Sequence, residues 1–193
     1  MSEGKRRLQE AALAHFAREG YEGASLQHIA TEAGMKKPSI YAHYQGKQDL
    51  FMNVLIRVLR EERHRIIRYF ITNQNIRLEQ RLHGLIRLFQ DEYESNQDTA
   101  FLLRMMFFPP HALSQEVMRI VYPFLDAMEN KLIHTFEKEV TRPLRASISS
   151  GQAAVSFMTL MDGVMVEMLY EMPDRSRKRL DAIWPIYTQG IYD

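Results

Sequence analysis

The sequence predicts an all-α fold of about nine helices: an N-terminal three-helix head and a larger helical body behind it. Three observations predict it. Apolar residues recur at spacings of three and four along most of the chain, the period of a helix with one buried face. Glycine and proline are sparse, at 9 and 7 residues, and fall at junctions between the periodic stretches. Hydrophobic residues fill 46% of 193 positions, enough to bury a core. The expected division is 1–47 for the head and 48–193 for the body.

The first helix is expected over about 4–18, with Leu8, Ala12 and Phe16 as its inner stripe and Gly20 as its end. Residues 21–24 then form a connection. Lys5, Arg6 and Arg7 stand at its start, where cations oppose the helix dipole. A phosphate contact or a solvated tail would each account for them.

Residues 25–47, SLQHIATEAGMKKPSIYAHYQGK, read as two short helices around a tight turn. Leu26, Ile29, Ala30 and Ala33 share one helical face. Ser25 precedes that face and can cap free backbone N–H groups. Gly34 tolerates the positive φ that helix ends need. Pro38 suits the first turn of the next helix, where no N–H is required. Ile40 and Tyr44 would then face inward, and Lys36, Lys37, Ser39, Tyr41, Ala42 and His43 outward. Cations, hydroxyls and an imidazole after a glycine turn are what a helix-turn-helix offers to a DNA major groove. A solvated helical hairpin with incidental lysines would share the composition.

The fourth helix is expected over about 47–72, with Leu50, Phe51, Val54, Leu55, Val58 and Leu59 inside and an arginine-rich outer face. At roughly 39 Å it is long enough to connect head and body; arginine runs of this kind are also common on plainly solvated helices. Further helices are expected at 77–94, 99–107 (stopped by Pro109 and Pro110), 114–139 (with Pro123 inside), 151–171 and 175–192, with 141–150 as a polar loop. The 151–171 segment is apolar on nearly every side, with Met158, Met161, Met165 and Met168 along one of them. Such a helix wants burial on two sides. Pro185 is a candidate kink in the last helix.

Net charge is +1, split as +4 over 1–72 (12 basic, 8 acidic side chains) and −3 over 73–193 (13 basic, 16 acidic). The basic excess lies with the proposed nucleic-acid head. No apolar run approaches the ~18 residues of a membrane span, and the charged start lacks the apolar centre of a signal peptide. The chain has no cysteine, so no disulfide framework and no thiolate metal site. A soluble cytoplasmic protein is expected, with no membrane partner. No metalloprotease signature, glycine-rich phosphate loop or nucleophile elbow occurs. No catalytic residue, metal site or cofactor is expected.

Ala12, Phe16, Gly20, Ser25, Ile29-Ala30, Ala33-Gly34, Ser39-Ile40-Tyr41-Ala42-His43-Tyr44, Lys47 and Leu50-Phe51 keep order and spacing over nearly fifty positions. In these residues the chain resembles the DNA-binding head of the TetR family of bacterial transcriptional regulators. The resemblance implies phosphate contacts from Ser25, Tyr41, His43 and Lys47, and base-edge contacts from Gln27, Lys37, Pro38, Ser39 and Ala42. The chemistry suits: lysine donates to guanine, glutamine can bridge adenine, and small apolar groups meet the thymine methyl. Two positions depart from the family pattern. Lys36 stands where a capping hydroxyl is common, leaving that helix less well capped or the lysine free for DNA. Ala42 stands where a larger side chain is common.

For the body, the resemblance implies a homodimer through the last two helices, with Phe157, Leu160, Val164, Ile183, Trp184 and Tyr187 as candidate interface. It also implies a pocket for a small, largely apolar effector, with Phe101, Met105, Phe108, Met118, Tyr122, Met161 and Met165 as candidate lining. Flexible methionines suit such a pocket, and ordinary core packing would use the same residues. Arg104, His111 and Asp126 are open as polar partners. The function expected is a homodimeric repressor released from a palindromic double-stranded DNA operator by that effector. The alternative is a helical ligand- or partner-binding dimer without specific DNA readout.

Overall fold

A computed structural model describes residues 2–138 and 142–192. Among them are eight α-helices: α1 (Glu3–Gly23), α2 (Leu26–Glu32), α3 (Lys47–Thr72), α4 (Leu78–Glu92), α5 (Gln97–Phe107), α6 (Ser114–Glu137), α7 (Ser150–Met165) and α8 (Pro173–Ile191). A six-residue 3-10 helix, Lys37–Ala42, makes the ninth, and short 3-10 turns occupy His111–Leu113 and Met168–Tyr170. The all-α expectation holds. Glu139 and Thr141, at the ends of an expected helix and loop, lie outside the described residues.

The residues pack into two units, Met1–Arg63 with Glu94–Ile120 and His64–Tyr93 with Val121–Asp193. In the first, Leu8, Ala12, Phe16, Ile29, Ile40, Leu50, Phe51 and Phe101 are fully buried. Phe51 is the aromatic centre, its ring 5.0 Å from Phe16 and 5.7 Å from Phe101, both edge-on. That geometry adds to the area buried. Asn96 caps α5 through the N–H groups of Asp98 and Thr99. Arg57 of α3 pairs with Asp98 at 3.3 Å, and Thr99 Oγ1 donates to the buried Glu62 carboxylate at 3.2 Å.

α1 does not stop at Gly20 as expected. Gly20 takes φ 73°, ψ 175°, which breaks the helix, and one more helical turn follows to Gly23. Glycine makes the interruption inexpensive without ending the element.

In the second unit, α4, α7 and α8 pack together. Ser149 starts α7 with a reciprocal capping box to Gln152. Buried polar side chains tie the three helices. Gln90 Nε2 donates to Ser176 Oγ, which donates to the Val164 carbonyl, each at 2.8 Å. Tyr187 Oη donates to the Ala153 carbonyl at 2.9 Å.

The expected helix over 151–171 is two elements. α7 ends at Met165, a 3-10 turn follows, and Glu171 adopts a left-handed φ of 57°. The break has a tertiary cause. Arg179 and Ser176 of α8 donate to the carbonyls of Gly163 and Val164, and the buried Glu167 carboxylate pairs with Arg175 and Arg179.

The segment Ser150–Tyr170 is long and apolar enough by composition to cross a membrane, with mean hydropathy 1.3. This corrects the expectation that no run comes near that length. Asp162, Gly163 and Glu167 interrupt the apolar run, but its flanks carry the mean. Half of that window is buried inside the protein, as in a core helix.

Candidate nucleic-acid interface

The turn between α2 and the 3-10 helix is built from backbone. Ser25 Oγ accepts from the Gln27 N–H at 3.2 Å, capping α2 at its start. At its end Gly34 takes φ 70°, so the Gly34 N–H reaches the Thr31 carbonyl at 3.0 Å and the Met35 N–H reaches Ala30 at 2.8 Å. These two bonds form a Schellman motif, which satisfies orphan carbonyls and turns the chain sharply. Pro38 then sits in the first turn of Lys37–Ala42, and Lys36 supplies no side-chain cap.

The segment winds as a 3-10 helix, tighter than an α-helix. Ile40 is fully buried and Tyr44 nearly so, and they anchor the segment to the core. Burial raises the Tyr44 hydroxyl above its ordinary pKa. The Lys5 ammonium lies 5.2 Å from the centre of the Tyr44 ring, which gives one of the early cations a place in the head.

Everything expected to face outward does so. Lys36, Lys37, Pro38, Ser39, Tyr41, Ala42 and His43 are exposed, and so is Gln27 on α2; Ser25 is half-buried. Tyr41 keeps 55% of its surface in solvent, high for an aromatic side chain with no structural use for that exposure. One short exposed segment thus carries two cations, two hydroxyls and an imidazole.

Lys47 differs from this group. It is half-buried, and its ammonium donates to the carbonyls of Glu22 (3.2 Å) and Ala24 (3.1 Å) while lying 4.6 Å from the Tyr21 ring centre. Sequence reading gave no sign of this, because the partners lie more than twenty residues earlier. His15 was missed too. It is buried on α1, with Nδ1 3.0 Å from Glu19 and Nε2 2.9 Å from Glu32 of α2. Glu32 thus reaches back to α1, while His28, four residues before it on α2, is exposed.

The sequence model for bacterial regulatory proteins of the tetR family matches residues 8–54, the stretch that builds this face. This is a TetR-family head. Over 51 residues the chain is 51% identical to the HTH-type transcriptional repressor SCO4008 of Streptomyces coelicolor, covering 26% of this chain and 27% of that protein. The aligned stretch therefore spans about a quarter of that relative.

Beyond the TetR-family head, likeness is in fold alone. A protein from Saccharomonospora viridis, described as a transcriptional regulator and solved with choline, superposes with TM-score 0.78 at 21% identity over 100% of both chains. FadR from Bacillus subtilis, solved with stearoyl-CoA, gives 0.65 at 16% identity over 96% of this chain and 98% of its own.

The body candidates are distributed as follows. Phe101 and Met105 are buried in the first unit, where Met118 is half-buried and Phe108 is 49% exposed. In the second unit Met161 and Met165 are buried and Tyr122 is exposed. Of the interface candidates, Phe157, Leu160, Val164 and Tyr187 are buried within the second unit's own core, Trp184 is half-buried and Ile183 is exposed. The large exposed apolar side chains of α7 and α8 are Val155, Ile183 and Ile186.

Proposed function

We propose that the protein is a homodimeric, ligand-responsive transcriptional repressor of the cytoplasm that binds a palindromic DNA operator. The observation that carries this reading is the exposed 36–43 face, held outward by buried Ile40 and Tyr44, in a TetR-family head. Tyr41, His43 and Ser25 are assigned to phosphates, where hydrogen bonds fix register. Lys36, Lys37, Ser39, Gln27, Pro38 and Ala42 are assigned to the groove floor, where sequence is read. A two-fold dimer would present two such faces to half-sites about one helical turn, or a multiple, apart.

The effector is proposed to be small and largely apolar and to bind in the body, with the buried Met161 and Met165 among its contacts. Solved relatives in fold hold stearoyl-CoA in one case and choline in another. An effector can change operator affinity only through its different affinities for two body conformations.

Mapping protected DNA upstream of neighbouring genes, with and without apolar compounds, would yield the operator. On it, Tyr41→Ala is expected to weaken binding to all sequences alike. Lys37→Ala is expected also to relax base preference, by about 1–3 kcal/mol at one position. Operator binding by both variants equal to the parent's would overturn the assignment. Binding without sequence preference at physiological salt would favour a ligand- or partner-binding dimer instead.

A further inference from the structure

We infer that Arg7 is a further DNA contact, its guanidinium holding a backbone phosphate beside the start of the reading segment. The first turns of α1 lie against the turn that leads into that segment. A Cβ built on Gly4 would meet Met35 Cε at 2.7 Å, so the Met35 side chain rests directly on the α1 backbone. Arg7 stands three residues on, along the same side of α1. A Cβ on Gly34 would lie 3.8 Å from Arg7 Nη1, which puts the guanidinium beside the glycine that turns the chain toward Lys36.

Folding does not account for a cation at that place. The adjacent Arg6 pairs with Glu10 at 2.8 Å, and Arg18, further along the helix, pairs with Glu19 at 2.8 Å. Among the described residues no carboxylate pairs with Arg7, which is exposed. At the start of α1 the helix dipole opposes a cation, and Lys36 and Lys37 follow the turn with the same sign. A phosphate reverses this account, because a guanidinium presents a fork of donors that matches two of its oxygens.

The placement also decides the kind of contact. Arg7 belongs to α1 and not to the Lys37–Ala42 segment, whose side chains are assigned to base edges. From α1 it serves the phosphates bordering the groove, where contacts fix position and carry no sequence information. The inference rests on the DNA-binding reading above and adds to it a cation outside the reading segment.

Salt dependence tests it. Each phosphate neutralised contributes about 0.9 to the slope of log K against log salt on duplex DNA. The parent, Arg7→Met, Arg7→Lys and Arg18→Met are titrated across a salt series onto the operator and onto a mixed-sequence duplex of equal length. Arg7→Met is expected to flatten the slope by about 0.9 for each head bound, a loss of roughly five- to tenfold per head at about 0.1 M salt, equal on both duplexes. Arg7→Lys keeps a point charge and is expected to keep the slope. Arg18→Met removes the same charge further along α1 and is expected to keep it too, which separates a local contact from a change in net charge. A parental slope in Arg7→Met overturns the inference, and so does an equal flattening in Arg18→Met. A loss confined to the operator also overturns it, since Arg7 would then read a base. Should Arg7→Met not fold, Arg7→Gln takes its place under the same outcomes. A parent that binds neither duplex overturns the DNA-binding reading and this inference with it; a binding parent with an unchanged slope in Arg7→Met removes the inference alone.

Discussion

His83 sits half-buried on α4, its ring edge-on to Trp184 of α8 at 5.0 Å between centroids. Burial foremost, and then the charge of Arg87, hold its pKa below the ordinary 6.5; Asp181 opposes them weakly. Arg87 and Asp181 are themselves paired at 2.5 Å, which limits the help that carboxylate gives. A histidine depressed in the folded state is neutral there while the unfolded chain already binds a proton. The unfolded state therefore holds more protons between the folded pKa and 6.5, and stability falls as pH drops through that window. Above 6.5 the effect is absent, and below the folded pKa it is constant. His83→Phe keeps a ring against Trp184 and removes the proton site. It is expected to flatten that part of the pH profile, read by urea melts on either side of 6.5. A profile identical to the parent's would show that His83 does not set it.

At the level of elements, two left-handed residues close two helical segments by the same pair of bonds. Gly34 does it after α2. Glu171 does it after the Met168–Tyr170 turn, with its N–H on Met168 at 3.0 Å and the Met172 N–H on Glu167 at 3.1 Å. A Cβ in this conformation costs about 1–2 kcal/mol. Gly34→Ala is therefore expected to lower head stability by about 1 kcal/mol and operator affinity with it, and Glu171→Gly to raise body stability by up to about 1 kcal/mol. Chemical denaturation checks both; equal midpoints for parent and Gly34→Ala would sink the account of the turn. These two sites also show what sequence can and cannot disclose. Gly34 was legible because glycine after an apolar face is a local signal, as were Ser25, Pro38 and the inward Ile40 and Tyr44. Lys47–Thr72 was legible because its apolar stripe is strong from Leu50 to Leu59. Glu171 was not, because nothing in its type announces a left-handed backbone, and the apolar period runs on past Met165. What stops α7 is donated by Ser176 and Arg179 of another helix. The bonds from Lys47 to the Ala24 and Glu22 carbonyls were hidden for the same reason: those partners lie 23 and 25 residues away.

For the molecule as a whole, the proposed repressor needs a two-fold mate. One head reading one half-site has too few contacts to be selective, and symmetry doubles them. The second unit carries a surface suited to that mate. Tyr187 of α8 donates to Ala153 of α7, and the large exposed apolar side chains of these helices are Ile183 and Ile186 on the first and Val155 on the second. A single exposed isoleucine is ordinary, but Ile183 and Ile186 lie three residues apart on α8, and with Ile186 at 66% exposure they offer an apolar contact. The buried Phe157, Leu160, Val164 and Tyr187 would support such a face from behind, with the contact made by these outer residues. A two-fold interface sets each patch against its own copy, so one substitution acts twice. Ile186→Glu would bring two carboxylates into an apolar contact, with desolvation and mutual repulsion both opposing association. Sedimentation is expected to show monomers where the parent is dimeric, with helical circular dichroism retained and operator affinity reduced because the two half-sites no longer bind as one unit. If Ile186→Glu sediments as a dimer and holds the operator as tightly as the parent, the mate is made elsewhere on the chain.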